Sequence, residues 1–170
     1  NALSTPATVF VLISGNFIGA DRTGSAGLGN LGAGVGIAAG SLGTGIVENR
    51  IFGNGGLGID LGNDGPTDND DGDEDSGANN LQNFPVLDFA GAKANLGSVQ
   101  GSLSTLPNTQ YRIDFFANAD CDPAGNGEGQ RFLGLQVVTT DDQGNADISP
   151  TLFEPILPNE FLTATATVVR

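Results

Sequence analysis

Histidine, methionine and tryptophan are absent from the 170 residues, and cysteine occurs once, at Cys121. Without histidine there can be no zinc finger, no Cys/His metal centre and no Ser-His-Asp triad, and a single thiol cannot close an intrachain disulfide. Positive charge is scarce: six Lys and Arg stand against twenty Asp and Glu, a formal net charge of -14. That potential repels phosphate backbones and anionic lipid, which disfavours nucleic acid and membrane surfaces and favours cations as small partners. No apolar run approaches the roughly 18 residues of a membrane span, so no membrane insertion is expected. Neither an initiator Met nor a basic and apolar leader opens the chain. A processed chain or a piece of a larger parent chain is therefore the expectation.

Composition divides what is present. Residues 1–77 hold 19 of the 27 glycines, whereas residues 78–170 hold 6 of the 8 prolines and 7 of the 10 phenylalanines. Between the two lies an acidic block, with Asp64, Asp68, Asp70, Asp71, Asp73, Glu74 and Asp75 and no base from Arg50 to Lys93. Such a block cannot bury itself and is expected to be a solvated or ion-bound loop. The organisation expected is a glycine-rich unit over 1–62, a junction over 63–80 and a second unit over 81–170.

The first unit repeats itself. Gly34-Val35-Gly36-Ile37 returns as Gly56-Leu57-Gly58-Ile59, and Ile13 to Gly19 echoes Val47 to Gly53. Both echoes suit short strands joined at Gly and Asn corners, because these residues accept positive φ and Gly disfavours helix by about 1 kcal/mol per position. A period of roughly 20 to 25 residues with two or three short strands is the repeat of a parallel β-helix. A disordered glycine-rich arm is the alternative. Against it, Val9, Phe10, Val11, Leu12, Ile13, Phe17 and Ile18 supply more apolar surface than a linker carries.

The run Ile13 to Gly24, the run Gly53 to Gly62, and Asn79-Asn80-Leu81-Gln82-Asn83-Phe84-Pro85-Val86-Leu87 together resemble right-handed parallel β-helix repeat surface proteins of bacteria. The resemblance covers nearly the whole chain and concerns architecture rather than activity. It implies a secreted protein in which β-helix coils are followed by a small β-sandwich. The chain departs from that pattern in having only two or three coils.

From Phe84 onward the pattern has period two. Tyr111, Ile113 and Phe115 alternate with Arg112 and Asp114, and Leu162, Ala164, Ala166 and Val168 alternate with Thr163, Thr165 and Thr167. Further strands are expected at 84–89, 96–103, 132–140, 145–149 and 151–153. About seven short strands with turn signals every 8 to 12 residues indicate an immunoglobulin-like β-sandwich, and the resemblance implies the same. The fold class expected is all-β, a short β-helix followed by such a sandwich.

Oxygen-only side chains in the acidic block suit a hard cation such as calcium rather than zinc or copper. The candidate ligands are Asp64, Asp68, Asp70, Asp71, Asp73 and Asp75. The block is not an EF-hand, because Ser76 stands where the turn glycine belongs and Gln82 where the bidentate Glu should be. Gly55 to Asp60 matches one calcium-binding nonapeptide in part, with Gly62 at its large apolar position. A mobile solvated loop is the alternative.

Residues 118–130, with Asp120, Cys121 and Asp122, form the longest interruption between strands and are a candidate recognition loop or a plain surface loop. Cys121 could link to a second chain, react as a free thiol or be half-buried as a small apolar residue. No catalytic residue is assigned: Asp21, Glu48 and Asp60 lie on too few coils to form a polysaccharide groove. The expectation is a non-enzymatic extracellular or cell-surface structural or adhesive subunit. It would associate into an oligomer, filament or surface layer through the open coil end at Val9, Phe10, Val11, Leu12 and Ile13. The alternative is a carbohydrate- or ligand-binding module, for which the lack of Trp and the single Tyr111 are unfavourable.

Overall fold

The computed structural model describes residues 10–25, 27–93, 96–122 and 125–170. Within them the chain is all-β: six strands of two or four residues in the glycine-rich half and seven of two to nine residues after the acidic block. No helix among the described residues is long and apolar enough to cross a membrane.

The first half makes two passes through the same three strand positions. Strands β1 (Val11–Ser14), β2 (Phe17–Ile18) and β3 (Val35–Ala38) form the first pass, and β4 (Thr44–Val47), β5 (Arg50–Ile51) and β6 (Ile59–Gly62) the second. Each strand pairs in parallel with its counterpart, so that Ile13 lies on Ile46, Ile18 on Ile51 and Ile37 on Leu61. Aliphatic rows of this kind close a small core of Ile37, Ile46, Ile51 and Ala78, with Ile13, Ile18, Val35, Ile59 and Leu61 packed against it. At roughly 1.5–3 kcal/mol per buried aliphatic side chain, these rows are the main stabilising contribution in a segment so rich in glycine.

The register differs from both sequence echoes. Val35 pairs with Ile59 and Ile37 with Leu61, two residues beyond the expected match to Gly56–Ile59. A two-residue shift keeps every side chain on its face, so the sequence echo is compatible with either register. The other echo is off by one: Ile13 lies on Ile46, not Val47, and Asn16 stands 33 residues from its counterpart Asn49. Polar chemistry selects this register. The Asn49 side chain, 3% exposed, accepts from the Asn16 backbone and side-chain nitrogens and donates to the carbonyl of Ile13. A slip by one residue would leave that buried amide without partners. Gly19 and Gly53 turn the chain after β2 and β5, at φ 76° and 74°.

The second half contains β7 (Val86–Lys93), β8 (Leu96–Ser104), β9 (Gln110–Asn118), β10 (Arg131–Thr139), β11 (Asn145–Ile148), β12 (Thr151–Leu152) and β13 (Phe161–Val168). One antiparallel sheet has the order β10-β9-β13; in the other, β8 pairs with β7 on one side and with β11 and β12 on the other. The alternating residues Tyr111, Ile113, Phe115 and Ala117 of β9 meet Val99, Leu103, Leu133, Val138, Ile148 and Leu152 in the larger core. Tyr111, Ile113 and Phe115 are fully buried.

Period two implies that the opposite face of β9 is solvated, yet Asp114 and Phe116 on that face are also buried. The second pass of the first half covers it. Glu48 donates its backbone N–H to Asp114 Oδ2 at 2.7 Å, and Thr167 Oγ1 donates to the Ile46 carbonyl at 3.2 Å. Ile51 and Gly129 exchange two backbone hydrogen bonds, and Glu128 accepts from the backbone of Gly53 and the amide of Asn54. The two halves are thus joined by polar contacts.

Candidate metal centre

The acidic block does not stay extended. It folds into two 3-10 turns, Asp71–Asp73 and Ala78–Leu81, with Asp73 and Ala78 buried. Gly72 takes φ 76°, and Asp73, Asn79, Asn80 and Leu81 also have positive φ. Asn and Asp tolerate this conformation because their short side chains bond locally; Leu81 has no such compensation.

These turns bring Asp70, Asp73 and Asp75 together, with one carboxylate oxygen from each within 4.8 Å of the others. The cluster could hold a metal ion. At an effective dielectric of about 20, two unit charges 4.8 Å apart repel by roughly 3 kcal/mol, so three carboxylates are costly unless a cation or a proton intervenes. The ion pairs among the described residues are Arg112 with Glu48 and Asp114, and Arg131 with Glu160, all away from the cluster.

Asp73 is 4% exposed. Its Oδ1 accepts from the Asn83 backbone N–H at 2.8 Å and its Oδ2 from Thr105 Oγ1 at 2.6 Å. Thr105 has a single proton, so it accepts from Gln82 Nε2 at 2.9 Å and from the Tyr111 hydroxyl at 3.0 Å. Burial pushes the Tyr111 phenol above its ordinary value, with the charge on Asp73 adding to the rise. Asp70 Oδ2 accepts from the Glu74 N–H at 3.0 Å, whereas Asp70 Oδ1 and Asp75 Oδ1 are buried and accept no hydrogen bond. Burial, then the charges of Asp70 and Asp73, raise the Asp75 carboxyl above the usual range. The donors are all oxygen, which matches a hard cation; three carboxylates fill up to half of the six to eight positions of calcium, leaving the rest to carbonyls and water.

Of the other expected ligands, Asp64, Asp68 and Asp71 are exposed and lie outside the cluster. At the coil end, Phe10, Val11 and Leu12 are 52%, 45% and 57% exposed, Ile13 packs against the small core, and Val9 is outside the described residues. Asp120 and Cys121 are exposed and Asp122 is half-buried, while the C-terminal end of that loop, at Glu128 and Gly129, is occupied in holding the first half. Thr105, Gln82, Asn83 and Tyr111 were not among the expected site residues. Asp73 and Thr105 are 32 residues apart, and nothing in the local pattern links them.

A cleft of about 870 Å³ opens between the second pass and the antiparallel sheets of the second half, with Ile46, Ile51, Leu61, Leu162, Ala166 and Gly127 in its lining. Compared with protein-family models and with curated proteins, the chain has no match.

Proposed function

We propose that the chain is a non-enzymatic structural or adhesive subunit of the extracellular space or cell surface, built as the last coils of a right-handed parallel β-helix followed by an immunoglobulin-like sandwich. The three parallel pairings support the first element, and the two antiparallel sheets around one core support the second. In this reading calcium occupies Asp70, Asp73 and Asp75, and copies associate end to end through Phe10, Val11, Leu12 and Ile13. No nucleic-acid role is proposed, in keeping with the net charge of -14.

One observation carries the reading: β1 pairs with β4, and Phe10, Val11 and Leu12, on the outermost of the described parallel strands and just before it, are about half exposed. Parallel stacks gain stability from each added neighbour, and an open end that meets a different surface on the next copy propagates. The acidic surface opposes association at low ionic strength, so a divalent cation and salt should favour it. Sedimentation velocity over a concentration series, with calcium and with chelator, tests this. Large species that dissociate on dilution are expected; a monomer at every concentration would overturn the assembly reading.

A second reading is a ligand-binding surface module, and the apolar cleft is the observation that favours it. Pockets of this volume with a few polar groups are the usual sites for small ligands. A chain that stays monomeric and retains an oligosaccharide on a glycan array would support it instead.

A further inference from the structure

The acidic cluster lies on a strap with one anchor in each half of the molecule. On one side Ala78 is fully buried in the core of the parallel strands, Asn79 donates its backbone N–H to Ser41 at 2.8 Å, and its side chain bonds both the N–H and the carbonyl of Thr44. On the other side Asn83 donates to the carbonyls of Ser104 and Asp70 and accepts from the Asp70 N–H. Asp73 holds Thr105 and, through it, the Tyr111 hydroxyl in the sandwich core. Asp70 and Asp73 therefore belong to the second-half anchor, and Asp75 leads along the chain into the first-half anchor at Ala78 and Asn79.

Two observations at this place point to a bound cation beyond the clustering itself. Asp73 is a carboxylate more than nine-tenths buried whose oxygens accept from two neutral donors, the Asn83 N–H and the Thr105 hydroxyl, and none of the ion pairs among the described residues gives it a counter-charge. Buried charges are paired or bind metal. Asp70 Oδ1 and Asp75 Oδ1 are buried without a donor, and among the described residues Asp70, Asp73 and Asp75 form the one group whose oxygens converge in this way. Each is an acceptor that water or a cation must serve.

Resting on the reading of these residues as cation ligands, we propose that an oxygen-seeking divalent cation adds a fastener to the direct contacts between the two halves: it neutralises Asp70, Asp73 and Asp75, orders the strap, and so holds Asn79 on the first half and Asn83 on the second. Without the ion, mutual repulsion loosens the strap at both anchors. With it, the Asp73–Thr105–Tyr111 chain carries the change into the sandwich core. The ligands are Asp70, Asp73 and Asp75; Asp64, Asp68 and Asp71 contribute only long-range charge.

The chain supplies its own reporter. Tyr111 is the only Tyr, no Trp competes, and it stands two hydrogen bonds from Asp73. Terbium, a calcium mimic excited by a nearby phenol, should give saturable luminescence with the full-length chain, displaced by calcium. Asp75→Asn and Asp70→Asn should each weaken calcium binding by at least about tenfold, measured by calorimetry. Tyr111→Phe should abolish the terbium signal while leaving the calcium heat. Fastening is read by amide exchange: calcium should slow exchange at Thr44 and Asn79 on one side and at Asn83 on the other by about tenfold or more relative to chelator.

Absence of both a saturable terbium signal and a calcium heat would overturn the site. Calcium binding with unchanged exchange at these three amides would overturn the fastening. Assembly is measured separately by sedimentation, so a monomer with calcium-dependent protection would support the fastener while defeating end-to-end association.

Discussion

Thr105 gives its only hydroxyl proton to the buried carboxylate of Asp73 across 2.6 Å, and this fixes it as acceptor for the Tyr111 hydroxyl at 3.0 Å. The residue just after β8 thereby connects the most acidic segment of the chain to the centre of its larger core.

Removing that hydroxyl should be costly. Thr105→Val leaves a buried carboxylate oxygen and a buried phenol short of partners, each worth about 1–3 kcal/mol. The expected loss is about 2–4 kcal/mol, read as a lower urea midpoint at unchanged slope, and Thr105→Ser should recover most of it. A Thr105→Val protein as stable as the wild type would refute the network.

The phenol itself predicts an alkaline effect. Tyr111 has its pKa raised in the folded protein, chiefly by burial. The unfolded chain therefore loses this proton first, so the contribution to stability is complete below about pH 10 and is lost as pH rises through the folded value. Tyrosinate absorbance, which arises from this residue alone, should titrate above the ordinary phenol range and return to it in denaturant. Asp73→Asn should lower the folded value by removing the negative charge.

A second buried carboxylate, Asp114, is 2% exposed and paired with Arg112 Nε at 2.6 Å. Arg112→Ala strands that charge and should cost about 3–5 kcal/mol, whereas Arg112→Ala combined with Asp114→Leu should cost less than the single change. Burial already raises the Asp114 carboxyl above its usual range despite Arg112. A raised carboxyl stabilises the fold most at acid pH, a contribution lost as pH rises through the folded value. The Arg112→Ala protein should regain stability on acidification relative to wild type, and denaturation at neutral and acid pH would show it.

At the coil end, Leu12→Asp changes a side chain that is 57% exposed. Its effect on the melting of the isolated chain should stay within about 0.5 kcal/mol, while any concentration-dependent assembly should be abolished. A stability loss with intact assembly would move the contact elsewhere.

The strands of the second half were legible because period two needs only local information: Tyr111, Ile113 and Phe115 alternate with polar residues and point into the core as expected. The same alternation misread Asp114, because the neighbour that buries it, the Glu48 corner, is 66 residues away. In the first half, glycine corners and aliphatic spacing announced repeated short strands. The register was not legible, since an alternating motif of four residues keeps its faces when shifted by two positions, and in the β1–β4 and β2–β5 pairs the buried Asn16–Asn49 contact, remote in sequence, marks the register.

By itself the sequence determined the all-β character, the break in composition at the acidic block and the restriction of any ligand set there to oxygen. These follow from residue type and spacing: glycine corners, alternation, and many carboxylates with no histidine. Only the tertiary structure decided which carboxylates meet. Asp70, Asp73 and Asp75 converge, while Asp64, Asp68 and Asp71, alike in sequence, face solvent. The physical reason is that their selection depends on anchors remote in the chain, with Thr44 and Thr105 holding the two ends of the strap. A carboxylate becomes buried when such partners are in place, and a list of neighbouring residues does not contain them.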